Sequence, residues 1–248
     1  MNLPSLICLI LGISLVSANV EKTIFLGPEP VNIPEQQPSL LSLNLDTLTP
    51  ENWSLRTHIE AIFPTEDFER GKSTWLILDN LTESQRYEVR ICWLATQPTA
   101  FHLETYTLPA VFDTPELITS LYNYSMSRQL ADPPPPPPPP PASAKGGGEH
   151  LSSVLFLRID AAADYFTTDA ALMQWPEPVL ADVILDPFVL NVLPRTLLPT
   201  VGYVVIVAAA SWALATRLIM PWVRGLVVED GDGRAGAGRE AGEEKKTR

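Results

Sequence analysis

The chain has 248 residues, 46% of them hydrophobic, with 17 basic against 29 acidic side chains and a formal charge of −12. That balance excludes nucleic acid, which demands a basic surface, and electrostatic docking on anionic headgroups. Two cysteines, Cys8 and Cys92, exclude a disulfide-built scaffold, so about 150 ordered residues must be held by a hydrophobic core.

Residues 1–18 read as a secretory leader. Leu6–Val16 is apolar, uncharged and too short to span a bilayer, and Val16-Ser17-Ala18 supplies the small residues for cleavage after Ala18. The alternative is an uncleaved N-terminal anchor. Cleavage removes Cys8 and leaves Cys92 as the one cysteine of the mature chain. It sits inside the apolar run Val89–Trp93, which predicts a buried, inert thiol.

Short strand-like runs follow. Glu21–Leu26, Ser73–Leu78, Tyr87–Leu94 and Phe101–Leu108 are rich in β-branched and aromatic residues, and Tyr87, Val89, Ile91 and Trp93 alternate with Glu88, Arg90 and Cys92. Leu81 followed by Tyr87 resembles the E–F corner of fibronectin type III-like sandwiches, where a tyrosine hydroxyl bonds back to the turn. An ordinary loop entering a strand is the competing reading. Thr114-Pro115-Glu116 predicts a helix start, running through Tyr122. The expected architecture is mainly β: an antiparallel sandwich over residues 19–196.

Pro133–Pro141, within a low-complexity insertion at 132–148, predicts a stiff polyproline II rod ended by a glycine hinge in a surface loop. Beyond it, Ser152–Ile159 and Val179–Leu185 return to the strand pattern, as further strands of the same domain. Three N-x-S/T triplets, at Asn52, Asn80 and Asn123, are candidate glycosylation sites.

Leu197–Ala215 carries no formal charge and is long enough for a hydrocarbon layer of about 30 Å. The predicted span is 197–220. Arg217 and Arg224 lie on its C-terminal side against Arg195 on the other, so the positive-inside rule puts residues 19–196 in the lumen and 221–248 in the cytosol. The chain then ends in Lys245-Lys246-Thr247-Arg248. Lys245 and Lys246 stand at the positions of a dilysine retrieval address, read by coatomer, that keeps a type I protein in the endoplasmic reticulum membrane. Charge agrees: residues 19–198 hold 10 basic and 23 acidic side chains, leaving the remainder near neutral.

No catalytic constellation emerges. His58, His102 and His150 lack metal-ligand spacing, Glu66-Asp67-Phe68-Glu69 reads as a solvated loop, and nothing arranges Asp160, Asp164 and Asp169 for an ion. No catalytic residue, cofactor or metal site is predicted. Asp186–Arg195 lies beside the span, and Phe188, Leu190, Val192 and Leu193 form a candidate partner contact.

Several blocks together resemble the fungal GPI-mannosyltransferase II co-activator family: ANVEKTIFLGPEPV, RYEVRICWLATQPTAFHLETY, FDTPELITSLYNYS, SSVLFLRIDAAADYF and DVILDPFVLNVLPRTLLPTVGY. The resemblance implies a type I glycoprotein of the endoplasmic reticulum. Its partner would be the multispanning transferase that adds the second mannose to glycosylphosphatidylinositol (GPI) precursors, and its role that of accessory rather than catalyst. The proline–glycine insertion and the long charged tail depart from the family pattern. Three other classes compete. A lumenal enzyme would show catalytic dependence on a single side chain, which alanine replacement of Asp160, Asp164 and Glu66 tests. A p24-like cargo receptor needs a coiled coil before the span, which residues 176–199 with their five prolines do not supply. A folding or translocation accessory would affect secretion broadly.

The tail reading has its own test. Lys245→Ala with Lys246→Ala should release the protein to the Golgi, seen as late glycan processing. An unchanged distribution would assign retention to the span or the partner.

Overall fold

The computed structural model describes residues 19–34, 40–131 and 149–222. The leader with Ala18, the proline tract and the tail with Lys245 and Lys246 lie outside the described residues.

The first sheet is built on β1 (Val20–Leu26), β4 (Ser54–Ile59), β6 (Arg86–Trp93) and β10 (Val179–Val189). All its pairings are antiparallel: β1 with β6, β6 with β10, and β10 with β4. β11 (Leu193–Pro194) folds back on the end of β10 as a hairpin. The second sheet runs β3 (Asp46–Leu48), β5 (Lys72–Leu78), β9 (Leu155–Ala163), β7 (Thr99–Thr107), with the β3–β5 pair parallel and the others antiparallel. β2 (Val31–Pro34) and β8 (Glu149–Ser152) make a separate two-stranded ribbon. Strands from beyond residue 148 therefore insert between or beside strands from before residue 131, in both sheets.

Strand alternation creates one shared core. Tyr87, Val89 and Ile91 of β6, Val179, Ala181, Val183 and Leu185 of β10, and Leu155, Leu157 and Ile159 of β9 all bury their side chains in a single cluster. The expected corner is present: Leu81 is buried, and the Thr82 amide donates to the Tyr87 hydroxyl at 2.9 Å. That hydroxyl donates in turn to Gln85 Oε1 at 3.0 Å. Gly27 backs onto this corner so closely that a Cβ there would lie 2.1 Å from the Thr82 carbonyl oxygen.

A second cluster lies on the opposite face of β9. Trp75 and Ile77 of β5 and Phe156 of β9 meet Val111 of α1 (Leu108–Asp113) and Leu117 and Leu121 of α2 (Pro115–Ala131). Here the structure departs from the sequence reading. The predicted strand Phe101–Leu108 stops at Thr107, whose hydroxyl caps α1 by accepting from the Ala110 amide at 3.4 Å. α2 continues nine residues past the predicted end at Tyr122. Its buried stripe ends in Ser125, a polar residue whose hydroxyl donates to the Leu43 carbonyl at 2.8 Å, so apolar periodicity fades where the helix goes on.

After Arg195 the chain forms a separate unit. A helix over Arg195–Trp222, including α4 (Leu198–Leu214) and a π-helical turn at Ala215–Ile219, is long and apolar enough to cross a membrane.

Gly27→Ala should lower the thermal midpoint of the detergent-solubilised chain well beyond Tyr87→Phe. The first forces backbone apart, while the second removes hydrogen bonds worth about 1 kcal/mol. Equal midpoints would show that the corner yields freely.

Candidate functional site

The outer face of the first sheet carries what the core rejects. With Tyr87, Val89 and Ile91 inward, β6 turns Arg86, Glu88, Arg90 and Cys92 to the other face, and β10 likewise places the alternate row from Leu180 to Phe188 there, half-buried or buried. β1 contributes Val20, Lys22, Ile24 and Leu26, since Lys22 pairs with Arg90 and Ile24 with Glu88.

A charge ladder crosses the middle of this face. Glu88 and Asp186 are buried, at 5% and 1% exposure, and Arg90 reaches both, at 3.4 and 3.7 Å. Lys22 Nζ lies 3.3 Å from the other Glu88 oxygen. Arg56 holds Asp182 by two bonds of 2.7 and 2.9 Å, which lowers the Asp182 pKa. Burying carboxylates without such partners would be strongly unfavourable. Beside this ladder, Val20, Ile24 and Leu26 stand exposed on β1, 57% in the case of Leu26. Cys92 is half-buried here, and burial pushes its thiol pKa up, so it makes a poor nucleophile.

A second polar group occupies the outer side of the second sheet. Arg158 holds the buried Asp160 through Nε and Nη2 at 2.8 and 2.6 Å, and the Ser73 hydroxyl donates to the same carboxylate at 2.6 Å. Glu104 receives the Tyr106 hydroxyl and Arg70 Nη1, and meets His102 Nε2 at 2.9 Å. The Tyr106 bond, with help from His102 and Arg70, holds the Glu104 carboxyl down at about 2. Burial, and then Glu104 itself, pushes the Tyr106 hydroxyl up to about 12. Each ionisable group in this network is engaged by a neighbour, an arrangement that ties strands together.

The other predicted site residues are dispersed. Asn52, Asn80 and Asn123 are all exposed; Asn80 donates to the Glu51 carboxylate, and Asn123 lies on α2. Asp160 is spent on Arg158, and Asp169 caps α3 (Ala170–Gln174) by accepting from the Ala171 amide at 2.8 Å. Glu66 to Glu69 form an exposed loop. Among the described residues no group of three or more His, Cys, Asp or Glu is placed to hold a metal ion. Of the candidate contact, Leu190 and Val192 are exposed at 91% and 76%, whereas Phe188 is buried at 6%, with the Arg86 guanidinium 5.7 Å over its ring. Phe188 thus packs within its own domain, because the β10 register places it against Arg86 of the neighbouring strand.

A cavity of about 360 Å³ opens among Thr96, Gln97, Thr99, Tyr165 and Glu177. Gln97 is committed at both ends of its amide, to the Pro178 carbonyl and the Leu180 amide. It holds the β10 entry rather than facing a ligand.

These features define a class: a β-rich domain with paired charges and an exposed apolar row, followed by one helix of membrane-crossing length. Residues 9–118 match the GPI-mannosyltransferase II co-activator family, the family that the sequence blocks resemble. No curated protein and no solved structure matches the chain. The row on β1 lies within the matched residues and was not singled out from sequence. Val20, Ile24 and Leu26 compete with Phe25 for the inward position, and only the pairing with β6 decides which side faces out.

The Glu104 network makes an acid-stability prediction. Its folded pKa of about 2 lies below the ordinary 4.5, so its contribution is complete above pH 4.5 and is lost as pH falls toward 2. Glu104→Gln should therefore flatten the fall of the melting temperature across that interval. An unchanged slope would show that Glu104 titrates normally.

Proposed function

We propose that this chain is a non-catalytic accessory subunit of the endoplasmic-reticulum transferase that adds the second mannose to GPI precursors. The match of residues 9–118 to the co-activator family carries this reading. In it, residues 19–196 are lumenal and glycosylated, residues 197–220 span the membrane, and the dilysine tail engages coatomer. The accessory stabilises or positions the multispanning catalytic subunit.

Its working surface, in this reading, is the β1 row. Val20, Ile24 and Leu26 lie inside the family match, on a strand whose outward side chains no element among the described residues covers. The neighbouring charges are paired among themselves, so a partner can bury the row without stripping an unpaired ion of water. An apolar lumenal loop of the catalytic subunit fits such a surface. The Leu190–Leu193 segment lies outside the matched residues.

Ile24→Glu with Leu26→Glu should leave the level of this protein unchanged and reduce recovery of the catalytic subunit roughly tenfold, the effect of ~1.4 kcal/mol. A labelled precursor profile should then show the one-mannose intermediate building up. A normal profile, or a broad secretory defect in its place, would overturn the proposal in favour of cargo handling or folding assistance.

A further inference from the structure

The hairpin joining β10 to β11 breaks two local rules at one residue. Val189–Val192 is a β-turn closed by the Val192 amide donating to the Val189 carbonyl at 3.2 Å, and Val192 is the third loop residue before Leu193 pairs with Val189. Both central residues have left-handed backbone, with φ 53° at Leu190 and 57° at Asn191. Asparagine is at home there; leucine is not, because its Cβ crowds the following carbonyl. The same leucine is 91% exposed, and Val192 beside it is 76% exposed. A soluble turn would place polar residues or glycine at these positions.

The turn is also held firmly. Asn191 Oδ1 accepts from the Arg86 amide at 2.9 Å, its Nδ2 donates to the Ser84 carbonyl at 3.0 Å, and Gln85 Nε2 donates to the Phe188 carbonyl at 3.3 Å. The two apolar side chains are therefore displayed on a braced tip and cannot fold back into the domain.

What covers them follows from chain length. Val192 stands three residues before Arg195, where the membrane-length helix begins. Three residues reach about 10 Å at most. If that helix spans, the tip stays within reach of the interface, where apolar side chains enter the headgroup and acyl boundary by about 5–10 Å.

We propose that Leu190 and Val192 insert into the lumenal interface of the bilayer as a second membrane attachment for the β-rich domain. The ligand is lipid, taken by apolar contact, so the domain's acidic charge does not oppose it. A second attachment point restrains the domain more than the chain connection alone. This inference rests on the spanning helix of the proposed function and is independent of the identity of the partner.

The test uses the full chain with Cys8→Ser and Cys92→Ser, reconstituted alone in phosphatidylcholine vesicles. An environment-sensitive fluorophore is placed at Leu190→Cys and, because a left-handed position tolerates change unevenly, separately at Val192→Cys. Glu66→Cys in the exposed loop and Ala209→Cys within the helix are the references. Blue-shifted emission at 190 and 192, with quenching by lipid-borne doxyl several-fold above the Glu66 position and protection from iodide, is the expected result. Iodide access equal to that at 66, while 209 remains lipid-quenched, overturns the inference and leaves the span standing. Iodide access at 209 as well removes both. Protection that appears only when the catalytic subunit is added assigns the tip to a protein contact and overturns the lipid reading.

Discussion

The protein depends on β9 being buried on both sides. Leu155, Leu157 and Ile159 enter the cluster shared by the two sheets, while Phe156 enters the one beneath α1 and α2. Every residue of the strand except Arg158 is buried. Without a disulfide, the domain has this strand as its staple: β5 and β7 pair with its two edges, and each of its faces holds a separate core. Fully burying a side chain of this size contributes about 1.5–3 kcal/mol, so one strand carries much of the hydrophobic gain. Asp160 is its polar exception, and its pairing with Arg158 and Ser73 is the condition on which a carboxylate can occupy that position.

That arrangement explains why the outer faces are available for association. The cores consume the apolar residues that point inward, and charge ladders consume the ions that point outward. Among the described residues of the first sheet, the row on β1 and, at its hairpin end, the Leu190 tip stay uncovered. Neither surface requires chemistry from the protein. In the proposed function, an accessory subunit presents an apolar surface and is held at the membrane, and the proposal draws for both on side chains left over by a strand-built core.

Legibility in the sequence varied with how local the cause was. The Leu81–Tyr87 corner was readable because turn, tyrosine and strand are consecutive, and the hydroxyl does bond the turn amide. The runs that became β1, β5, β6 and β10 were readable from their β-branched and aromatic content, and β6 from alternation as well. β4 was not, since Ser54–Ile59 places only Leu55 and Ile59 among its apolar positions and is defined by its pairing with β10. α2 was half-readable: its proline start is a local signal, while its far end is held by Ser125 and Arg128 bonding to the segment around Leu43 and Asn44.

The sequence by itself determined the membrane-length helix, the mainly β character and the corner, and it carried the resemblance that the match of residues 9–118 repeats, because each is written in consecutive residues or composition. Tertiary structure decided which face of β1 is exposed, that Phe188 is buried while Leu190 is not, and that Asp160 and Asp169 serve packing and capping. Those outcomes depend on which strand lies beside which and in what register. A one-residue slip in pairing would turn every side chain to the opposite face, and no local pattern in a single strand fixes its neighbour.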